Sequence, residues 1–103
     1  YTKTGRTVHV SGRLVINVIG TGSATTISGF PFTAINPAFT MPGSVGYFIN
    51  LAINTLHIVI DKNANDTTAR FLHLTAVGTV MTAGPSIMGN STTIDFEITY
   101  EVA

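Results

Sequence analysis

The chain has 103 residues, of which 10% are charged, and its five basic and five acidic side chains leave a formal net charge of zero. A small domain exposes much of its surface, so this composition predicts that Ser, Thr, Asn and Gly solvate it and that copies of the chain cover part of its apolar surface. There is no basic stripe for nucleic acid, no apolar run near the roughly 20 residues of a membrane-spanning helix, and no cysteine for disulfides or thiolate metal sites.

The chain begins at Tyr1 inside a predicted strand, without an initiator methionine, so we expect a single domain, 1–103, cut from the C-terminal part of a longer polypeptide. Gly5-Arg6 predicts a tight turn, and the second strand of a hairpin follows from Thr7 to Val18. Gly12 interrupts this strand and predicts a bulge or bend. Apart from Val15, its apolar and polar residues take opposite parities, Val8, Val10, Leu14, Ile16 and Val18 against His9, Ser11, Arg13 and Asn17.

A short strand and a long crossing segment are predicted next. Thr25-Thr26-Ile27 is rich in β-branched residues and follows a glycine-rich turn. Pro31 has no backbone N–H, so it predicts a strand end or a crossing loop. We expect residues 33–44 to cross between two sheets and to hold apolar side chains in the core, namely Phe30, Phe32, Phe39 and Met41.

The middle of the chain predicts further strands. One runs from Val45 to Asn50, and residues 51–54 fit either its continuation or a loop. A hairpin follows, with an Asn- and Asp-rich turn at 62–67. Val80 predicts a short strand between glycine-rich turns. The apolar face of the hairpin is predicted to consist of Leu56, Ile58 and Ile60 on one strand and Leu72, Leu74 and Ala76 on the other.

The last strand has the clearest alternation. Its two predicted faces are Ile94, Phe96, Ile98, Tyr100 and Val102 on the apolar side and Asp95, Glu97, Thr99 and Glu101 on the polar side. No stretch of the sequence has a capped, amphipathic helical pattern. Short strands with turns about every 8–12 residues predict an all-β sandwich or barrel, and the long crossing segments favour Greek-key connections.

Two alternative functions are open for the carboxylates of the last strand, Asp95, Glu97 and Glu101. A pair of carboxylates in a cleft is typical of glycoside hydrolases, but these residues alternate along one strand face. We interpret them as a solvated face or as partners for Arg6 and Arg13. Since neither a serine-nucleophile elbow nor a phosphate-binding glycine loop occurs, the sequence predicts no catalytic site and no cofactor.

Three histidines lie on separate predicted strands at polar positions, His9, His57 and His73. A zinc site needs several ligands that converge, so we interpret them as outward-facing or interfacial residues. A sugar-binding site would combine an exposed aromatic ring with polar side chains that bind hydroxyl groups. The candidates for such a site are Tyr47, His57, Arg70 and His73, with core or interface packing as the alternative for Tyr47.

Three segments resemble landmarks of a small C-terminal β-domain found in many bacteriophage tail fibres and tailspikes. Residues 1–12 are similar to its opening, in which Tyr-Thr and a basic residue precede a glycine and two alternating valines. Residues 27–34, with Phe30-Pro31-Phe32, resemble its apolar-Pro-Phe segment, and Ile98-Thr99-Tyr100 resembles its closing strand. Residues 45–90 carry no matching motif.

The resemblance implies an antiparallel β-sandwich, often jelly-roll-like, that forms a homotrimer at the tip of a fibre or spike in the virion. Such domains bind host-surface glycans, for example lipopolysaccharide or capsule, or they fold and register the trimer. The cysteine-free composition fits assembly in the host cytoplasm. No catalytic residue comes with the resemblance, so we expect a non-enzymatic domain. The alternatives are a structural trimerisation cap and a capsid or decoration protein with a similar sandwich.

Overall fold

Seven strands make up the regular structure of the computed structural model, which describes residues 1–18, 20, 26–36, 41–74, 76 and 87–102. They are β1 (Thr2–Thr4), β2 (Thr7–Val15), β3 (Thr26–Ile27), β4 (Met41–Ile49), β5 (His57–Lys62), β6 (Ala69–Leu74) and β7 (Thr93–Glu101). All neighbouring strands are antiparallel, which confirms the all-β antiparallel prediction. The predicted strand at Val80 lies outside the described residues. Within the described ranges, no helix has the length and hydropathy needed to cross a membrane.

Hydrogen bonding links the seven strands into a single sheet, curled into a half-barrel, in the order β1-β2-β7-β4-β5-β6-β3. β4, β5 and β6 are successive neighbours, and β7 returns to lie beside β4. This is the spatial order of a Greek key. The curl gives the sheet a concave face, which holds the core, and a convex face.

The alternation predicted for the first long strand is present in β2. This strand pairs with β7 along its whole length, from Thr7 opposite Glu101 to Val15 opposite Thr93. It ends at Val15 rather than at Val18, although the N–H of Ile16 still donates to the carbonyl of Thr92 at 2.9 Å. The buried or half-buried side chains of β2 alternate with exposed ones as predicted, Val8, Val10 and Leu14 against His9, Ser11 and Arg13.

Of the bulge or bend predicted at Gly12, the bulge is wrong, because Gly12 pairs with Phe96 in unbroken register. A Cβ atom at Gly12 would lie 3.2 Å from the Cζ atom of Phe96, so the glycine leaves room for that ring. The register instead shifts in β4, between Val45 and Tyr47. The residue between them, Gly46, therefore marks the β-bulge.

The crossing predicted for residues 33–44 ends earlier than expected, because β4 begins at Met41 rather than at Val45. Met41 and Pro42 pair with β5, and the pairing with β7 starts at Gly43. Pro42, which has no N–H to donate, lies where β4 passes from one neighbour to the other. The long strand thus joins the two halves of the sheet.

The predicted apolar face of the β5–β6 hairpin is only partly correct. Ile58 and Ile60 are fully buried as expected, but the residues opposite them are His73 and Phe71. Directly opposite residues of an antiparallel pair share a face, so the concave side of β6 carries Phe71 and His73, whereas Leu72 and Leu74 are half-buried on the convex side. The interpretation of His73 as an outward-facing residue is therefore wrong.

Apolar side chains from the strands and from the segment 28–36 form the core on the concave face. The largest fully buried ones are Tyr100, Phe71, Ile58, Ile60, Ile94, Ile98 and Val8. Phe30 and Met41 are buried as predicted and Phe32 is partly buried, whereas Phe39 lies outside the described residues. Leu56, predicted to be part of the apolar face, is 57% exposed.

Candidate functional site

Three strands present a row of polar side chains on the convex face of the sheet. The register places Ser11 of β2, Glu97 of β7 and Ser44 of β4 opposite one another. The next row contains Arg13, Asp95 and Tyr47, and the preceding row contains His9 and Thr99. We call this surface the polar convex face, and its residues are His9, Ser11, Arg13, Ser44, Tyr47, Asp95, Glu97 and Thr99.

An ion pair between Arg13 and Asp95 closes one end of the polar convex face. The guanidinium donates from Nε to Oδ1 at 2.6 Å and from the second nitrogen to Oδ2 at 2.8 Å. These hydrogen bonds raise the pKa of Arg13 and lower the pKa of Asp95, so both groups stay charged. The pairing predicted for Arg13 is confirmed, whereas Arg6 donates its Nε proton to the carbonyl of Val102 at 3.1 Å.

Glu97 lies at the centre of the polar convex face, and its side chain is 61% exposed. Its Oε1 accepts a hydrogen bond from the Ser44 hydroxyl at 3.2 Å, and its Oε2 lies 4.0 Å from Nε2 of His9. The other ring nitrogen of His9 is 3.0 Å from the Thr99 hydroxyl. Within the described part of the chain, no lysine or arginine forms an ion pair with Glu97.

Two shallow depressions flank Glu97 and share Glu97 and Ser44 in their walls. One has a volume of about 240 Å³ and extends along β4 and β7 toward Thr99. The other has a volume of about 230 Å³ and extends toward Ser11, Gly46 and Asp95. Gly46 has no atom within 4 Å of the position that a Cβ would take, so the surface beside the bulge is open.

Apolar side chains border the polar convex face beyond Arg13 and Asp95. The row after the ion pair consists of Val15, Thr93 and Ile49. Val15 is 57% exposed, Ile49 is 44% exposed and Tyr47, in the adjoining row, is 49% exposed. The face therefore combines hydroxyl and carboxylate groups with a small apolar margin.

The four candidate residues of the sequence analysis do not meet in one place. Tyr47 belongs to the polar convex face, but His57 and Arg70 lie on the convex side of the β5–β6 hairpin, at opposite ends. Asp61, the partner of Arg70, lies four residues along β5 from His57, which is a distance of about 13 Å.

Of the four candidates, Arg70 is ion-paired within the hairpin and His73 is buried. Arg70 donates to both carboxylate oxygens of Asp61, at 2.8 and 3.1 Å. His73 is only 7% exposed, on the concave face, and its Nδ1 has no hydrogen-bond partner among the described residues. Sequence reasoning missed Ser11, Ser44 and Glu97 as members of one site, because the alternation puts each on an outer face but does not say which strands are neighbours.

A buried lysine forms a second polar feature, at the turn between β5 and β6. Lys62 is 2% exposed and its Nζ lies 5.4 Å and 5.0 Å from the ring centres of Phe30 and Tyr100. Its ammonium donates to the carbonyl of Asp66. Burial lowers the pKa of Lys62, while the nearby Asp66 carboxylate opposes that shift. These contacts attach the turn to the core.

The electrostatics of Asp95 do not suit the role of a general acid. Asp95 and Glu97 are two residues apart in one strand, so their Cα atoms lie about 7 Å apart, and glycoside hydrolases hold two carboxyl groups roughly 5–10 Å apart. A general acid in such a pair needs a raised pKa, whereas Arg13 lowers that of Asp95. Among the described residues, the Ser44 hydroxyl bonds to Glu97 and forms no hydrogen bond with a histidine, so a serine–histidine pair is not present there.

Neither a metal site nor similarity to a known protein assigns a function to this chain. No group of three or more His, Asp or Glu side chains among the described residues could hold a metal ion. Comparison with models of protein families, with curated proteins and with solved structures finds no match for this chain.

Proposed function

We propose that this chain is the C-terminal domain of a bacteriophage tail fibre or tailspike, which binds host cell-surface carbohydrate as a homotrimer. The domain would be part of the virion, would be assembled in the host cytoplasm and would not be an enzyme. The polar convex face carries the binding part of the proposal. The three motifs and the composition support the family and the assembly.

Residues from all three motifs contact one another around Phe32. The ring of Tyr1 meets that of Phe32 edge to face at 5.6 Å, and Nζ of Lys3 lies 5.6 Å from the centre of the Phe32 ring. The Tyr100 hydroxyl donates to the carbonyl of Phe32 at 3.1 Å. Motifs far apart in the sequence thus form one structural unit, which supports the view that they belong together as a family signature.

The row formed by Ser11, Glu97 and Ser44 is the observation on which carbohydrate binding depends. Sugar hydroxyls both donate and accept hydrogen bonds, and serine hydroxyls and a carboxylate provide both complements. The exposed ring of Tyr47 lies one row away and can pack against the apolar face of a sugar. Shallow depressions with a polar centre suit an extended surface glycan.

The prediction that the domain is a jelly-roll-like β-sandwich is part of the same proposal. A jelly roll is a two-sheet sandwich built from Greek keys. The Greek-key order of β4 to β7 supports membership of that group of folds.

Exposed apolar residues favour assembly and also keep a second function open. Val18 is 75% exposed, and Val15 and Leu56 are each 57% exposed, in a chain with few charges. Burial of about 1,000 Å² of apolar surface between copies would offer a gross gain of roughly 25 kcal/mol before ordering costs. The second candidate function is therefore a structural trimerisation cap of a fibre, or a capsid or decoration protein, without a ligand.

Sedimentation and a glycan array together test the proposal. We expect a stable trimer at micromolar concentration that binds lipopolysaccharide or capsule oligosaccharides. A trimer that binds no glycan would favour the structural cap, and a stable monomer would refute the assembly.

Variants of the candidate residues test where the glycan binds. Tyr47→Ala is expected to weaken glycan binding without lowering the melting temperature, whereas His57→Ala, on the β5–β6 hairpin, is expected to leave binding unchanged. Loss of binding in His57→Ala with full binding in Tyr47→Ala would move the site to the hairpin.

A further inference from the structure

The charges of the polar convex face are unequally compensated. Arg13 is its only permanently positive side chain, and both of its hydrogen bonds to Asp95 are short and direct. Glu97 has a hydroxyl and a distant histidine as neighbours. With histidine counted as neutral at pH 7 and with Arg13 and Asp95 neutralising each other, the carboxylate of Glu97 leaves the face with one net negative charge.

The free side of Glu97 is also the side that a ligand would meet. Its Oε1 already accepts from Ser44, whereas its Oε2 has no hydrogen bond among the described residues. Ser11 lies directly across the strand pair from Glu97, and the open surface at Gly46 belongs to the depression that Ser11, Ser44 and Glu97 also line. A ligand seated there would meet an acceptor at the centre and a serine hydroxyl on each side.

We propose that this site selects neutral sugars, which Glu97 binds through their hydroxyl groups, and rejects sugars that carry carboxylate, sulfate or phosphate. The inference rests on the proposed carbohydrate binding and adds the chemical class of the ligand. A hydroxyl group donates to a carboxylate in a charge-assisted hydrogen bond, whereas an anionic group brought to the same position meets a like charge. Selection against the wrong ligand by repulsion is a general source of specificity.

Asp95 is proposed as a specificity residue, because it accepts two hydrogen bonds from Arg13, the arginine of this face. A guanidinium is the side chain best suited to bidentate recognition of carboxylate or phosphate. Replacement of Asp95 by asparagine would leave the guanidinium of Arg13 without its charged partner, one row from Glu97. The Asp95→Asn variant should therefore bind acidic sugars that the natural chain rejects.

The experiment compares matched pairs of neutral and acidic oligosaccharides on one array, followed by calorimetry of the bound ones. The natural chain is expected to bind neutral members only. Glu97→Gln should lower their affinity by about tenfold or more, and Asp95→Asn should gain binding to the acidic members. Glu101→Gln is the matched control, since Glu101 is an exposed glutamate of the same strand outside both depressions.

The possible results distinguish a failure of the selectivity for neutral sugars from a failure of carbohydrate binding itself. Acidic members bound as tightly as their neutral counterparts by the natural chain would overturn the selectivity, as would unchanged affinity in Glu97→Gln. Equal losses in Glu97→Gln and Glu101→Gln would overturn the location of the site. Absence of binding to any glycan would instead overturn the proposed carbohydrate binding itself. Circular dichroism and melting curves for each variant confirm that the fold is retained.

Discussion

A methyl group added at Gly43 should destabilise the domain strongly. Gly43 is the first residue of β4 that pairs with β7, and its Cα faces the concave side. A Cβ there would lie 2.5 Å from the backbone oxygen of Glu97, 2.7 Å from Cγ2 of Ile60 and 2.9 Å from Cβ of Ile98. An ordinary contact begins at about 3.4 Å, so the neighbouring strand would have to move by nearly 1 Å. The closest atom belongs to the backbone, which cannot rotate away.

The expected cost follows from overpacking in a tight core. Inserted methyl groups usually cost about 1–3 kcal/mol, and we expect Gly43→Ala near the upper end, because Ile60 and Ile98 are almost fully buried. In a domain of this size that loss lowers the melting temperature by about 10–20 °C. Gly46→Ala is the control in the same strand, since its Cβ would meet nothing within 4 Å. There we expect a change within about 0.5 kcal/mol, or a small gain from the stiffer unfolded chain.

Urea unfolding followed by tyrosine fluorescence measures both variants, at equal protein concentration so that self-association affects them alike. Replacing glycine by alanine stiffens the unfolded chain in both variants. Comparing their two free energies of unfolding therefore cancels most of that common effect. If the two unfolding free energies agree within error, the close approach of β4 to β7 and β5 at Gly43 is incorrect.

Three further predictions concern stability. Phe96→Ala should cost about 3 kcal/mol, the low end for a phenylalanine, because its ring packs against two other phenylalanine rings but remains partly exposed; an unchanged melting temperature would place this ring outside the core. Thr92→Val should cost about 1–3 kcal/mol, because the fully buried hydroxyl bonds two backbone groups at 2.6 and 2.8 Å; denaturant unfolding measures the loss, and a neutral result would contradict those bonds. The pKa of Asp95 is lower in the folded chain than its ordinary value. The contribution of this carboxylate to stability is therefore complete above the ordinary pKa and is lost as the pH falls through the folded pKa. As the pH is lowered, the melting temperature should fall less for Asp95→Asn than for the natural chain, and parallel curves for the two proteins would refute this linkage.

Local alternation was sufficient to predict most strands. Side chains on a strand point to opposite faces in turn, so a chain with one buried face repeats its apolar residues every second position. The last strand shows this clearly, with Ile94, Ile98 and Tyr100 buried and Glu97 and Thr99 exposed. The pairing of Arg13 with an acidic residue of that strand was also predicted from residue type and parity.

Alternation was insufficient where both faces of a strand carry apolar groups. Leu72 and Leu74 have the same apolar character as Phe71, and nothing local decides which set turns inward. The choice follows from the pairing of β6 with β5, which places Phe71 beside the buried Ile60. A burial pattern set by a neighbouring strand cannot be read from the strand itself.

The sequence by itself therefore determined most of the strand-forming segments and the polar and apolar faces of β2 and β7. The tertiary structure decided the register, the curl of the sheet and the place where β4 passes between neighbours. The polar convex face depends on that second group of features, because Ser11, Ser44 and Glu97 come from three strands and meet only through cross-strand pairing. Long-range pairing is set by the burial of the whole core, whereas alternation is a property of each strand alone.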